Sequence, residues 1–270
     1  MRLSLVQIDA GVDKTRNLEL VRDGARAARD AGARLVAFPE FSMYEKKVVD
    51  GTFAGAAEPL GGPFATGLAA IAAELAVTLV VGIVESNPND PRPFNTLLVV
   101  DETGRVRARY RKVHLFDSYG FHESACIAPS PSLEPVVFDV DGITVGLMTC
   151  YDLRFPELGR ELADAGAELV LVCSSWVPGE GKADQWRVLA QARAIENSYF
   201  VGAVSQTPPV SIGRSLLVDP LGAIVGELDE PPALGTFDLD PADVIAAREK
   251  NPALTHRRYS ISREESALSA

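Results

Sequence analysis

The sequence predicts an α/β fold, a four-layer α-β-β-α sandwich in which two mixed sheets pack together and helices cover their outer faces. Two observations lead to it. Apolar runs of strand length alternate with segments whose apolar residues recur at helical spacing. The segment at 30–36 also recurs at 164–170 with one difference, Arg34 against Glu168, each time between a helix and a strand. We therefore expect two pseudo-twofold β-α-β halves, although Ala-Gly-Ala is also a common helix end.

The first half is predicted to begin with a β-α-β unit and to end in a hairpin. A strand at 3–8 precedes a helix whose apolar residues recur at helical spacing from Leu18 to Ala28, and Gly32 ends this helix. The remaining predicted elements are a strand at 34–38, a helix at 63–76, a strand at 77–84 and hairpin strands at 94–100 and 106–112, joined by turn residues 101–104.

The second half is predicted to repeat this arrangement. Asp141-Gly142 is a strong hairpin signal between apolar runs at 136–140 and 143–149. After it we predict a helix following Pro156, a strand at 169–173, a helix at 183–196, a strand at 199–205 and hairpin strands at 215–218 and 223–227. Since no Pro- or Ser-rich linker separates the halves, we expect a single domain over 1–270. Its polar tail at 256–270 is a candidate to contact a partner subunit, or is a frayed terminus.

Composition excludes several classes of partner. The chain has 270 residues, 47% of them apolar, and a formal net charge of −11. An acidic protein does not bind the phosphate backbone of nucleic acids or an anionic membrane surface. Three cysteines are too few for a disulfide framework. No segment is apolar enough to span a membrane, and the N-terminal residues lack the pattern of a signal peptide. These features favour a cytoplasmic protein.

Three polar residues stand at the ends of predicted strands, where α/β proteins collect their chemistry. Glu40 follows an apolar strand and lies between two aromatic residues, a setting that favours proton transfer. Lys112 ends a hairpin arm, where an ammonium can stabilise an oxyanion. Cys150 lies between an apolar strand and a helix, where a thiol can act as a nucleophile. Taken one by one, each has a structural alternative: a solvated loop acid, an edge-strand lysine and a buried cysteine.

Together and in this order, the three residues closely resemble the nitrilase superfamily of carbon–nitrogen hydrolases, and in particular its Nit branch, which includes omega-amidase and deaminated-glutathione amidase. The resemblance covers nearly the whole chain. True nitrilases are usually longer. The matching stretches are 38–40, 110–117 and 150–158, supported by 185–186, 192–197, 213–215 and 218–222.

The resemblance implies a role for each residue. Cys150 is the nucleophile, Glu40 the general base and acid, and Lys112 the partner of the oxyanion, together with the backbone N–H of Tyr151. Glu123 corresponds to a second glutamate of the family that aligns the lysine or the substrate amide; a loop acid is the alternative. This chemistry needs no metal or organic cofactor, and the spacing of the histidines fits no common zinc motif. Cys126 and Cys173 are expected to fill the core.

Arg154 is the charged candidate for substrate binding, because related amidases hold a substrate carboxylate at a similar position; an ion pair with Asp152 or Glu157 is the alternative. Phe116, Phe121 and Trp176 are candidates to line the pocket; packing in the core is the alternative. The resulting hypothesis is a thiol-dependent amidohydrolase. It cleaves the C–N bond of a small carboxylate-bearing amide through a cysteinyl thioester and releases ammonia, as an omega-amidase or deaminated-glutathione amidase does.

Other activities remain open at this point. N-carbamoyl-amino-acid hydrolysis and nitrile hydrolysis are the enzymatic alternatives. A catalytically silent binding or scaffold protein of the same fold is the non-enzymatic one, and an intact set of Glu40, Lys112 and Cys150 argues against it. The resemblance also implies a homodimer or a higher homo-oligomer.

Overall fold

The structure, a computed structural model, describes residues 1–263, which form two six-stranded sheets with flanking helices. The strands are β1 (Arg2–Gln7), β2 (Leu35–Ala37), β3 (Thr78–Glu85), β4 (Phe94–Val100), β5 (Val106–Arg111), β6 (Val137–Val140), β7 (Ile143–Thr149), β8 (Leu169–Ser174), β9 (Phe200–Ser205), β10 (Leu216–Val218), β11 (Ile224–Glu227) and β12 (Ala233–Asp238). The helices are α1 (Lys14–Asp30), α2 (Thr52–Ala56), α3 (Pro63–Leu75), α4 (Pro156–Asp164), α5 (Lys182–Asn197) and α6 (Pro241–Lys250). Within the described residues, no helix combines the length and the apolar composition that crossing a membrane requires.

The two sheets share one topology. Their strand orders are β12-β1-β2-β3-β4-β5 and β6-β7-β8-β9-β10-β11. In each sheet the second, third and fourth strands are mutually parallel and the other neighbours are antiparallel. Parallel neighbours need a crossover, which α1 and α3 provide in the first half and α4 and α5 in the second. The repeated segments at 30–36 and 164–170 run into the equivalent strands β2 and β8, so the predicted pseudo-twofold halves are confirmed.

The main core lies where the sheets face each other. A Cβ atom on Gly202 of β9 would lie 3.0 Å from Leu171 in its own sheet and 3.2 Å from Leu3 in the other, so the two sheets are in direct contact there. Strands β3, β4, β8 and β9 are buried along their whole length. Their continuous apolar runs are typical of strands covered on both faces. The predicted four-layer sandwich is therefore confirmed.

Three elements have no counterpart in the sequence-based prediction: α2, β12 and α6. Strand β12 pairs antiparallel with β1, with Gly235 opposite Leu5, and it is mostly half-buried. An edge strand of this kind lacks the clear apolar alternation by which strands are recognised. Elsewhere the predicted boundaries are shifted by one or two residues; α3, for example, ends at Leu75 because Ala76 adopts a left-handed φ of 52°.

The described part of the C-terminal tail lies against its own chain. Arg257 donates to both carboxylate oxygens of Asp164 at 2.8 and 2.6 Å, and Arg263 pairs with Glu161 at 2.6 Å. These contacts place residues 256–263 near α4. Residues 264–270 lie outside the described residues, and the contact of the tail with a partner subunit stays a prediction.

Candidate active site

Cys150 lies at a sharp bend between β7 and the 3-10 turn that follows it. Its φ of 48° is left-handed, a conformation that costs a non-glycine residue about 1–3 kcal/mol. The buried carboxylate of Asp152 holds the bend, because it accepts from Thr149 N at 2.9 Å and from the Tyr110 hydroxyl at 2.7 Å. It also accepts from His114 N at 3.1 Å. One hydrogen bond within the bend, from Thr149, and two from outside it, from Tyr110 and His114, therefore keep the cysteine in this strained conformation.

Glu40 follows β2 and is only 1% exposed. Its Oε1 accepts from Lys112 Nζ at 2.8 Å, and its Oε2 accepts from Ser175 N, just after β8, at 2.7 Å. The loop that carries Glu40 packs on the backbone of β3, since a Cβ on Gly82 would lie 2.5 Å from the Pro39 carbonyl oxygen. The close approach of loop and strand sets the position of the carboxylate, and only glycine permits it.

Lys112 joins two buried carboxylates. Its ammonium, which lies 2.8 Å from Glu40, also donates to Glu123 Oε2 at 2.9 Å. The same Glu123 oxygen accepts from Phe116 N at 2.7 Å. Asn95 on β4 donates its Nδ2 to Glu40 Oε1 at 2.7 Å and to Glu123 Oε1 at 3.1 Å. One ammonium and one amide thus lie between two carboxylates that are both almost fully buried.

Burial and these charges perturb the ionisation of the cluster. Burial raises the pKa of the Cys150 thiol, the charge of Glu40 raises it further, and Lys112 opposes the change. Burial alone would lower the pKa of Lys112, but Glu123 and Glu40 outweigh it, so this pKa lies well above its ordinary value. Burial raises the pKa of Glu123, against the effect of Lys112. The resting site therefore holds a neutral thiol beside a charged ammonium, and the thiol needs a base before it can attack.

A cavity of about 550 Å³ opens onto this cluster. It is lined by Glu40, Lys112, Glu123 and Cys150 and by the predicted pocket residues Phe116 and Phe121. A narrow slot with only about 10 Å³ of open space adjoins it and is lined by Phe116, Cys150, Tyr151, Arg154, Ser175, Trp176, Val177 and Lys182. The structure therefore brings all the predicted site residues to one place. The four predicted catalytic residues, Phe116 and Phe121 line the cavity, and Tyr151, Arg154 and Trp176 line the slot.

Arg154 does not form the ion pair that was its structural alternative. Its Nη2 donates to Gln185 Oε1 at 2.6 Å, and its guanidinium carbon lies 5.1 Å from the centroid of the Trp176 ring. Among residues 1–263, no carboxylate comes within ion-pair distance of it. Asp152, one of the two proposed partners, is instead committed to the bend at Cys150. The guanidinium is therefore available to an anionic group in the slot.

The other two thiols occupy different environments. Cys173 is buried in β8. Cys126 is only half-buried and contributes to the lining of the cavity, so it is not simply core filler as the sequence suggested. In the part of the chain that the structure describes, no three His, Cys, Asp or Glu side chains are grouped as metal ligands are.

Sequence reasoning missed four polar residues of the site. Asn95 and Asp152 position the cluster and the bend, while Glu45 and Lys182 are buried beside the cavity and the slot. An asparagine inside the apolar run of β4 was a usable signal, because a buried amide needs hydrogen-bond partners. Asp152 lies two residues after Cys150 in a stretch that matches the family, but sequence reasoning considered it only as an ion-pair partner of Arg154. For Glu45 and Lys182, neither spacing nor neighbours in the sequence indicate the site.

Comparison with known proteins identifies relatives along the whole chain. A family model described as carbon-nitrogen hydrolase matches residues 2–249. Hydrolase Rv0480c of Mycobacterium tuberculosis is 40% identical over 273 residues, which cover 95% of this chain and 95% of that protein. Deaminated glutathione amidase of Homo sapiens is 32% identical over 274 residues, which cover 96% of this chain and 83% of that protein.

Solved structures agree with this assignment. A mutant of the amidase from Nesterenkonia sp. AN1 carries the acetamide moiety of fluoroacetamide on its active-site cysteine. It matches with a TM-score of 0.81 at 31% identity, over 96% of this chain and 94% of that one. The C. elegans NitFhit protein matches with a TM-score of 0.88 at 28% identity, over 95% of this chain and 65% of that one. The resemblance to the nitrilase superfamily is confirmed, and the chain belongs to the carbon–nitrogen hydrolase family.

Proposed function

We propose that this protein is a thiol-dependent amidohydrolase in which Cys150 attacks the carbonyl carbon of a small carboxylate-bearing amide. The observation that carries the proposal is the position of Glu40. Its carboxylate is held by Lys112 and by Ser175 N beside a cysteine on a strained bend. A base, a cation and a thiol that share one buried site are the groups that acyl transfer through a thioester requires.

In the first half-reaction, the Cys150 sulfur bonds to the carbonyl carbon and its proton passes to Glu40. The Lys112 ammonium and the Tyr151 backbone N–H stabilise the negative charge that develops on the carbonyl oxygen. Glu40 then gives the proton to the leaving nitrogen, the C–N bond breaks, and ammonia or an amine departs. The acyl group remains on sulfur as a thioester. Since the thiol is neutral at rest, the base acts in the same step as the attack.

In the second half-reaction, Glu40 takes a proton from water while the water oxygen bonds to the thioester carbon. The tetrahedral intermediate is stabilised as before. When it collapses, the C–S bond breaks, sulfur recovers a proton from Glu40, and the carboxylic acid is released. Glu123 touches no reacting atom in this scheme. It holds the Lys112 ammonium at 2.9 Å, and thereby places it where the oxyanion forms.

The substrate class follows from the slot beside the thiol and from the relatives. Arg154 has no carboxylate partner among the described residues, and a guanidinium suits a carboxylate. Four of the similar proteins are named deaminated glutathione amidase, and the Nesterenkonia relative is named an amidase. Amides of the omega-amidase or deaminated-glutathione type are therefore the first candidates, ahead of N-carbamoyl amino acids and nitriles.

The experiment is a screen for ammonia or amine release from alpha-ketoglutaramate, deaminated glutathione, glutamine, N-carbamoyl amino acids and simple nitriles. We expect an amide substrate to give the highest kcat/KM. In Cys150→Ala, kcat should fall by about 10³-fold or more. Cys173→Ala is the matched control, because it removes a buried thiol outside the cavity, and it should keep its activity. Undiminished hydrolysis by Cys150→Ala would show that the mechanism is wrong.

A labelling experiment separates the enzyme from a silent scaffold of the same fold. Iodoacetamide is itself a small amide, so it should alkylate Cys150 first and abolish activity in step with that modification. Peptide mapping by mass spectrometry follows the three thiols separately. Equal and slow labelling of Cys126, Cys150 and Cys173 would argue for a protein without an activated nucleophile.

Assembly and location belong to the same proposal. We place the protein in the cytoplasm as a homodimer or a higher homo-oligomer. Three free cysteines suit a reducing compartment. The small-molecule substrate needs neither nucleic acid nor a membrane as partner. Light scattering of the purified protein gives the oligomeric state directly. A fully active monomer would refute the proposed homo-oligomer.

A further inference from the structure

Lys182 is a buried cation beside the thiol that the mechanism above does not use. It is the first residue of α5 and is 5% exposed. Its Nζ lies 5.2, 4.5 and 4.9 Å from the ring centroids of Phe116, Tyr119 and Trp176. Within residues 1–263, no carboxylate forms an ion pair with this ammonium. Aromatic faces attract a cation but offer it no hydrogen-bond acceptor oxygen.

The position of Lys182 is fixed by the backbone. The Trp176 indole donates to the Lys182 carbonyl oxygen at 2.9 Å, and Lys182 N donates to the Gly179 carbonyl oxygen at 3.1 Å. The side chain therefore starts from an anchored point and reaches the slot between the aromatic rings.

A second cation lines the same slot. Arg154 lies there with its buried Nε unpartnered in the described part of the chain. Burial lowers the pKa of Lys182, and the charge of Arg154 lowers it further. Two like charges without a counter-ion are unfavourable in a largely buried space. An anion between the two side chains supplies the counter-ion, and it reaches them by moving the Lys182 side chain aside, because the slot has only about 10 Å³ of open space.

The catalytic geometry decides which part of the substrate enters the slot. Glu40 lines the large cavity and not the slot, whereas Cys150 lines both. The leaving nitrogen must reach Glu40 to receive its proton, so the amine leaves on the cavity side. The slot is then on the acyl side of the thioester bond, close to the sulfur.

We propose that Lys182 and Arg154 form a two-cation subsite for an anionic group on the acyl part of the substrate, and that Lys182 makes the enzyme select amides with a short anionic acyl chain. This inference rests on the proposed amidohydrolase function and adds to it a specificity-determining residue. Because the acyl group stays on Cys150 after the amine departs, the contact persists through both half-reactions.

The test compares an anionic amide with its uncharged counterpart in the full-length enzyme. Glutaramate and valeramide have acyl chains of equal length and differ in the terminal carboxylate. Lys182→Met keeps an unbranched apolar stem among the three rings. We expect it to lower kcat/KM for glutaramate by about 10- to 100-fold, mainly through KM, and to leave valeramide within about 2-fold. Lys182→Arg, which keeps the positive charge, should retain part of the preference for glutaramate over valeramide.

Lys250→Met is the matched control, since Lys250 is an exposed lysine at the end of α6, and both amides should be unaffected by it. An equal loss on both amides with Lys182→Met, or no loss on either, would overturn the subsite. If the wild-type enzyme hydrolyses valeramide and glutaramate with equal kcat/KM, the amidohydrolase stands and the subsite is refuted. If it hydrolyses no amide, the proposed function itself fails.

Discussion

Asn95 tests whether the site depends on two carboxylates being kept charged side by side. Its Nδ2 donates to Glu40 Oε1 at 2.7 Å and to Glu123 Oε1 at 3.1 Å, and the side chain is fully buried. Asn95→Leu conserves the volume and removes both donors. A hydrogen bond to a charged group contributes about 1.5–3 kcal/mol, so the two together stabilise the charged cluster by about 3–6 kcal/mol.

The loss should appear in the pH dependence of the reaction. Burial already raises the pKa of Glu123. Removing a donor to its charged form raises this pKa further, so the carboxylate takes up a proton at a higher pH than in the wild type. We expect the acid limb of the kcat/KM profile to move up by about one to two pH units, since each unit corresponds to about 1.4 kcal/mol. The maximal rate should also fall, by about 10- to 100-fold.

Asn197→Leu is the matched control, because Asn197 is also fully buried and donates to the Arg193 carbonyl oxygen at 2.9 Å and to the Tyr199 hydroxyl at 3.1 Å, away from the site. It should lower the free energy of unfolding in urea and leave the acid limb in place. A profile for Asn95→Leu that superimposes on the wild-type profile would refute the role of Asn95 in holding the two charges.

Two further predictions concern the backbone around the cluster. Gly82→Ala places a methyl group 2.5 Å from the backbone of Phe41 and of Pro39. It should lower the free energy of unfolding in urea by about 1–3 kcal/mol and reduce kcat by displacing Glu40. Unchanged kcat would mean that the position of the loop does not matter for catalysis. Tyr110→Phe removes the 2.7 Å hydrogen bond to Asp152. It should lower the free energy of unfolding by about 1.5–3 kcal/mol in the same assay and reduce kcat less than Asn95→Leu does. A stability equal to that of the wild type would show that the bend needs no such support.

Much of the fold could be predicted from the sequence because the apolar residues of most elements form clear local patterns. Apolar strands such as β3 and β8 are covered on both faces and read as continuous apolar runs. The repeat at 30–36 and 164–170 marked the equivalent strands β2 and β8. The edge strand β12 was missed for the opposite reason, since its residues are mostly half-buried and form no clear pattern.

The sequence by itself determined most of the strands and helices along the chain, the two related halves and the three residues at strand ends that the family resemblance joins. Only the tertiary structure decided the rest of the site. Asn95 contacts Glu40 across 55 positions of the chain, and Ser175 contacts it across 135. Hydrophobic periodicity records which face of an element is buried, but it carries no distance between side chains on different strands. The hydrogen-bonded cluster and the paired cations of the slot therefore become visible only when the sheets are packed together.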